Sequence, residues 1–109
     1  MITLTPVPTE RLDQLSGLRQ LPGQYANDGA QMILDRTRDL SFHAIHKNAQ
    51  LVGMFKLDPH YPERHHFAMP DDLGIRGVLI DVPFQGRGLG WQAMAALPAR
   101  VIVGRPVTF

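Results

Sequence analysis

The alternation of apolar and polar positions predicts short strands and helices along the chain. Residues Ile2 to Val7 alternate roughly and predict a first strand, which two prolines end. Leu12, Leu15 and Leu18 then recur on one side of a predicted helix. Thr9 is a residue type that caps helices, so we place the start of this helix there. A Pro-Gly pair ends it.

A second, short helix is predicted after Asp28. Together with Gln31, this aspartate resembles a capping box, in which the first side chain satisfies backbone donors of the first turn. The positions that then repeat at helical spacing are Ala30, Ile33, Leu34 and Thr37.

A hairpin follows. The pattern predicts two strands, Ser41 to His46 and Leu51 to Leu57. The four residues from Lys47 to Gln50 are predicted to form the turn between them. Gly53 inside the second strand predicts a bulge or the close approach of another backbone. The polar stretch from Asp58 to Asp72 is long for a loop, and such loops are usually functional or mobile.

The central segment has the clearest pattern. Leu73 to Val82 predicts a strand, and the apolar run from Val78 to Ile80 is typical of a strand covered on both faces. A turn containing three glycines follows, and then a helix from Arg87 to Leu97, which a proline ends. The tail from Val101 to Phe109 is prone to β structure. The predicted order is β, α, α, β, β, β, α, with one further short strand in the tail.

The composition bounds the class of protein. With 109 residues and 44% apolar residues, one folded domain is expected. Eleven basic and ten acidic residues leave a net charge of +1, which argues against nucleic acid or an anionic membrane as partner. The absence of cysteine excludes disulfides and thiolate metal sites. No secretion signal and no apolar run of ~20 residues is present, so a cytoplasmic location is expected.

The glycine turn, residues Gln85 to Gly90, is a candidate anion site. Its glycines leave backbone N–H groups bare where a helix N-terminus carries partial positive charge. A P-loop would need Lys and then Ser or Thr after the last glycine, whereas Trp91 and Gln92 follow here. A dinucleotide fingerprint needs an acidic residue about 20 positions later, and none follows Asp81. A plain turn without a ligand is the remaining alternative.

Gln85-Gly86-Arg87-Gly88-Leu89-Gly90 resembles the Gln/Arg-x-x-Gly-x-Gly/Ala signature of the GNAT superfamily of N-acetyltransferases. The strand before it and the helix after it are also similar, so the resemblance is specific over Val78 to Leu97. Before that segment it covers only the order of elements. It implies an α+β fold with a mixed, mostly antiparallel sheet flanked by helices. On this interpretation residues 1–109 are a single, incomplete GNAT-like domain, truncated after the third helix.

The resemblance implies that acetyl-CoA binds this segment. The central strand would pair with the pantetheine amides, and the N–H groups of the turn would hold the pyrophosphate. Arg87 would add its charge, and Gln85 is expected to tie down the turn. Trp91, on the first helical turn, is expected to be a packing residue rather than a stacking platform for adenine. The cofactor-binding residues implied in this way are Val78, Leu79, Ile80, Gln85, Gly86, Arg87, Gly88, Leu89, Gly90 and Trp91.

Acetyl transfer to an amine needs a neutral nucleophile, donors that polarise the thioester carbonyl, and an acid for the departing thiolate. In the GNAT family a tyrosine on a later helix commonly supplies the acid. Tyr25 and Tyr61 do not lie where the motif would place that group, so no acid is assigned. Asp81 is a candidate base, and the alternative is a carboxylate that stabilises the turn before Pro83.

Histidines offer further candidates. His65 and His66, with Glu63, lie in the loop before the central strand, where an acceptor could pass. Adjacent residues usually point apart, so no metal site is expected. His43 and His46 flank the hairpin and are expected to be surface or half-buried residues.

Two functions are consistent with the sequence. The first is an acyl-CoA-dependent N-acetyltransferase that transfers acetyl from acetyl-CoA to a small amine or a protein amino group. The alternative is a non-catalytic remnant of a GNAT domain that binds CoA or only associates with itself. An exposed sheet edge invites another strand, so a homodimer through that edge is predicted.

Overall fold

The computed structural model describes residues 1–20, 28–34, 40–58 and 73–97, and the backbone of 101–103. These residues form one sheet with the strand order β1-β2-β3-β4-β5. The first three pairs are antiparallel, and β4 pairs with β5 in parallel. The strands are β1 (Ile2–Val7), β2 (Ser41–Lys47), β3 (Gln50–Asp58), β4 (Leu73–Ile80) and β5 (Val101–Val103). The helices are two 3₁₀ helices (Thr9–Leu15 and Val82–Phe84), α1 (Gly29–Met32) and α2 (Leu89–Ala95).

The mixed, mostly antiparallel sheet flanked by helices is confirmed, with an apolar layer on each face. Within β4 the alternation of side chains sends Leu79 to one layer and its two neighbours to the other, which explains the continuous apolar run. One layer joins the first 3₁₀ helix and α1 to the sheet through Leu12, Leu15, Leu18, Met32, Phe42, Ala44, Met54 and Leu79. The other joins α2 to the sheet through Leu89, Ala93, Ile45, Val52, Phe55, Val78 and Ile80.

The predicted first α-helix is a 3₁₀ helix from Thr9 to Leu15, with Pro8 rather than Thr9 at its N-cap. The spacing of the leucines gives the physical reason. Leu12 and Leu15 are three residues apart, and a 3₁₀ helix has three residues per turn, so both face the sheet. Both are buried, as is Leu18 in the turn that follows.

The capping box predicted at Asp28 is wrong. Asp28 is the N-cap of α1, but its side chain makes no capping hydrogen bond. Its Oδ1 instead accepts the backbone N–H of Gln20 at 2.6 Å, which joins two segments of the chain. The helix ends at Met32, before Ile33 and Leu34, and Thr37 lies outside the described residues.

The hairpin is confirmed, with Asn48 and Ala49 as its turn. Both have positive φ (50° and 72°), as a two-residue hairpin turn with the twist of its strands requires. Gly53 shows both predicted features. The β2–β3 register shifts beside it, and a Cβ at this position would collide with the carbonyl oxygen of Leu79. Of the predicted loop from Asp58 to Asp72, the first residue belongs to β3, and residues 59–72 lie outside the described part of the chain.

His43 and His46 are half-buried in β2, as expected. The His43 ring stacks on Phe55 of β3, with 5.0 Å between ring centroids and 8° between planes. Its Nε2 is 2.9 Å from the Ser41 hydroxyl. Burial lowers the pKa of His43 below the usual value, because the charged imidazolium loses solvation.

Gly53→Ala is expected to lower the free energy of unfolding by about 2 kcal/mol, because the added methyl overlaps a backbone oxygen that cannot move independently of β4. Urea denaturation measures the change. Gly17→Ala is the matched control, since nothing lies within 4 Å of a Cβ at Gly17. Equal stability of the two variants would contradict the close approach of β3 and β4.

The stability of the protein is expected to fall as the pH drops below the ordinary histidine range. The unfolded chain then binds a proton at His43 that the folded chain resists, so protonation favours unfolding. His43→Phe keeps an aromatic partner for Phe55 and removes the titrating group. Urea denaturation at about pH 7.5 and about pH 5.0, on either side of the ordinary histidine pKa, should show a smaller loss of stability in this variant than in the wild type. Identical losses would show that His43 does not contribute.

Candidate functional site

The sheet opens along one side of β4. β5 pairs only with the first three residues of β4, from Leu73 to Ile75. The β3–β4 register shifts next, so that Lys56 faces Gly77 and Leu57 faces Ile75. From Gly77 to Ile80, β4 has no neighbour on the β5 side within the described part of the chain. Such a bulge bends a strand, and the candidate cleft lies beside β4 beyond this point.

The side of β4 away from β3 carries polar backbone groups, although Val78 and Ile80 are themselves buried. The N–H of Asp81 donates to the carbonyl of Val52 in β3 at 2.8 Å. Antiparallel pairing alternates, so the next residue bonded to β3 is Leu79. The N–H and C=O groups of Val78 and Ile80 therefore point away from β3, toward the cleft. Of the three β4 residues implied by the resemblance, Val78 and Ile80 thus direct backbone groups toward the cleft, whereas the backbone groups of Leu79 bond to β3.

The glycine turn adds further donors at the end of this cleft. Gly86 and Gly88 have φ of 79° and 75°, a left-handed conformation that other residues adopt at a cost. These two residues displace the start of the predicted helix from Arg87 to Leu89. Among the described residues, the N–H groups from Gly86 to Gly90 have no acceptor. Gly88, the N-cap of α2, has no side chain to satisfy them.

Gln85 ties down the turn, as expected from sequence. Its Nε2 donates to the carbonyl oxygen of Ile80 and to Oε1 of Gln20, both at 2.8 Å. One side chain thus links the end of β4, the glycine turn and the segment after the first 3₁₀ helix. The bond to Ile80 also occupies one acceptor on the open side of β4.

The turn encloses a cavity of about 260 Å³. The implied residues Val78, Leu79 and Arg87 do not line it, although Val78 lies on the strand that borders the cleft. The guanidinium carbon of Arg87 lies 5.8 Å from the ring centroid of Phe84, which places a positive charge beside the cavity. The lining residues are Ile80, Phe84, Gln85, Gly86, Gly88, Leu89, Gly90 and Trp91. Sequence analysis missed Phe84 as a lining residue, although it directly precedes Gln85.

Asp81 has a structural partner. Its Oδ1 accepts the backbone N–H of Arg19 at 2.9 Å, and the N–H of Val82 donates to the Arg19 carbonyl at 3.0 Å. The side chain does not line the cavity. These bonds favour the alternative assignment, in which the carboxylate stabilises the turn at the end of β4. β4 ends at Ile80, two residues before the predicted end at Val82, because the 3₁₀ helix that Asp81 precedes begins there.

Trp91, expected from the sequence to be a packing residue, is largely exposed. It lies on the first turn of α2, and 70% of its surface is exposed. The apolar face of this helix is formed by Leu89 and Ala93 instead. Trp91 borders the cavity at the mouth of the cleft.

The remaining candidates are not brought to the site. His65, His66 and Glu63 lie outside the described residues, as do Tyr25 and Tyr61. In the described ranges, no group of three or more His, Cys, Asp and Glu side chains could hold a metal ion. Nor does any helix in those ranges have the length and apolar character needed to cross a membrane.

Comparisons with known proteins identify the fold. No family model and no curated protein sequence matches the chain. The ribosomal-protein-S18-alanine N-acetyltransferase from Escherichia coli is similar in structure, with a TM-score of 0.56 and 13% identity. The match covers 87% of this chain and 56% of that enzyme.

Two further structures are similar. AAC(6')-Iy, solved in complex with the bisubstrate analog CoA-S-monomethyl-acetylneamine, gives a TM-score of 0.55 at 16% identity, over 88% of this chain and 68% of that one. An acetyltransferase from Thermus thermophilus gives 0.54 at 23% identity, over 93% of this chain and 71% of that one. The chain thus spans between 56% and 71% of these three proteins. Together with the strand order and the glycine turn after β4, these likenesses show that the chain has the fold of the GNAT acetyltransferases.

Proposed function

We propose that this chain binds acetyl-CoA in the cleft beside β4 and acts as an acyl-CoA-dependent N-acetyltransferase with an amine as acceptor. The observation that supports this most strongly is that the last residue of β4, Ile80, and the glycine turn line one cavity. The side of β4 away from β3 carries N–H and C=O groups of the kind that pair with an extended ligand with amides. The glycine turn at its end offers N–H groups to an anion. Pantetheine and pyrophosphate are joined in CoA in that order.

The chain's own residues would divide the binding between them. The backbone of Val78 and Ile80 would pair with the pantetheine amides as an added strand does. The N–H groups from Gly86 to Gly90 would hold the pyrophosphate, and each hydrogen bond to a charged oxygen contributes about 1.5–3 kcal/mol. Arg87 would add long-range attraction, and Gln85 would hold the turn in place. The CoA-derived analog in the complex of AAC(6')-Iy is consistent with this choice of ligand.

Acetyl transfer also demands a neutral amine. An amine with a pKa of ~10.4 is mostly protonated at pH 7, and its neutralisation costs about 4.6 kcal/mol. A base or a water relay must therefore act on the acceptor. The carboxylate of Asp81 is bonded to Arg19, so we do not assign this role to it.

The engagement of Asp81 favours a second candidate, a chain that binds CoA without turnover. Under this alternative the cleft keeps its cofactor groups, and the described residues supply no base beside it. Association through a sheet edge stays a prediction as well, since β1 lies at one edge of the described sheet. A cytoplasmic location also stays a prediction.

Calorimetric titration with acetyl-CoA tests the binding site. Gly88→Asn is expected to weaken binding by about tenfold or more, because the loss of one charge-assisted hydrogen bond to an anion has that effect. Asparagine tolerates positive φ, so the turn should persist while its side chain projects where the phosphate would lie. Gly17→Ala should bind as the wild type does. No binding of acetyl-CoA to the folded wild type at millimolar concentration would overturn the proposed function.

Asp81→Asn is expected to leave both stability and acetyl-CoA binding unchanged, because an amide oxygen can still accept the N–H of Arg19. Asp81→Ala should cost about 1 kcal/mol of unfolding free energy, since it removes the acceptor. Denaturation and a free-thiol release assay across a panel of amines measure the two effects. Turnover that Asp81→Asn abolishes in a fully stable protein would show that Asp81 is the base. Binding without turnover for every amine would favour the second candidate.

A further inference from the structure

Trp91 is the single tryptophan of the chain, and it is not one of the buried core residues. It is the third residue of α2, whose buried positions are Leu89, Gly90 and Ala93. Its side chain leaves 70% of its surface exposed. Isolated exposed apolar side chains are common in folded proteins, so exposure alone assigns no role. The surroundings of the ring are what distinguish it.

The second observation is that Trp91 lines the same cavity as Gly86, Gly88 and Gly90. Side chains of a helix lean toward its N-terminus, so the indole of Trp91 covers the surface over the preceding turn. That turn contains the N–H groups that have no acceptor among the described residues. A flat aromatic surface and a set of anion-binding donors therefore share one rim.

We propose that Trp91 determines specificity for the nucleotide part of the ligand by stacking on its adenine ring. This inference rests on the proposed function, in which the glycine turn holds the pyrophosphate. One ribose joins that pyrophosphate to adenine, so the base must lie near the rim of the cavity. The pantetheine arm runs the other way, along β4. Trp91 thus contacts the end of the ligand that is remote from the acyl group.

Stacking suits this pair of groups. The face of an indole accepts the face of any nucleobase, and the contact is worth the most when water leaves both surfaces. An exposed ring gains this burial only when the ligand is bound. The stack therefore strengthens binding of ligands that carry adenine and leaves those that lack it unaffected.

The tryptophan fluorescence of the wild-type protein, excited selectively over tyrosine, reports on Trp91 alone, because no other tryptophan is present. The probes are CoA, 3′,5′-adenosine diphosphate, which has the adenine but no pantetheine, and 4′-phosphopantetheine, which has the pantetheine but no adenine. We expect CoA and 3′,5′-adenosine diphosphate to quench or shift the emission at saturation. We expect 4′-phosphopantetheine to bind, as calorimetry measures, without that change.

Substitutions of Trp91 measure how much the proposed stack contributes to the affinity for CoA. Trp91→Leu keeps an apolar side chain but removes the flat ring, and it should weaken CoA binding about tenfold, the order that one base–aromatic stack contributes. Trp91→Phe should recover part of the loss. Binding of 4′-phosphopantetheine should stay unchanged in both variants. Leu34→Ala is the matched control, since Leu34 is also exposed, at 75%, and does not line the cavity.

The outcomes separate the two proposals. CoA binding that is equally tight in Trp91→Leu and wild type overturns the adenine stack and leaves the proposed function intact. An equal loss of affinity for CoA and 4′-phosphopantetheine also overturns it, because Trp91 would then support the turn rather than the base. The absence of CoA binding in the folded wild type overturns both proposals. A loss confined to CoA and 3′,5′-adenosine diphosphate supports the stack.

Discussion

The backbone of β4 needs hydrogen-bond partners on both sides, and the rest of the site depends on how this need is met. β3 satisfies one side along the strand, while β5 satisfies the other over three residues in the part of the chain that the structure describes. A backbone polar group without a partner costs free energy wherever water cannot reach it. Gln85 satisfies the carbonyl of Ile80. The remaining groups of Val78 and Ile80 point away from β3, toward the side where the proposed ligand would serve as their partner.

A polar network holds the end of β4 and the glycine turn in position. Arg19 and Gln20 follow the first 3₁₀ helix, and their backbone N–H groups bind two carboxylates, those of Asp81 and Asp28. The side chain of Gln20 meets Gln85. The ion pair of Arg19 with Asp28, at 3.4 Å, is largely exposed and contributes little by itself. The bonds from Arg19 to Asp81 and between Gln20 and Gln85 join distant parts of the chain, so the N-terminal segment supports the turn as well as its own strand does.

Much of the site could be predicted because its signals are local. Gly86 and Gly88 indicate a backbone conformation that other residues adopt only at a cost in free energy. The apolar run of β4 indicates a strand between two apolar layers. The side-chain roles could not be predicted in the same way. The sequence around Asp81 is compatible with a base and with a structural carboxylate, and the partner that decides between them is Arg19, 62 residues away. Whether Trp91 is buried or exposed depends on which side of α2 packs against the sheet.

The sequence by itself determined the order of the elements, the hairpin, the close approach at Gly53 and the left-handed turn. Each depends on the covalent geometry or the periodicity of a few consecutive residues. The tertiary structure alone decided where β5 ends its pairing, that Leu79 rather than Val78 bonds to β3, and that Trp91 is exposed. These features arise from contacts between residues far apart in the chain. A one-residue shift in the register of β4 would reverse which of its backbone groups face the cleft without changing any local pattern.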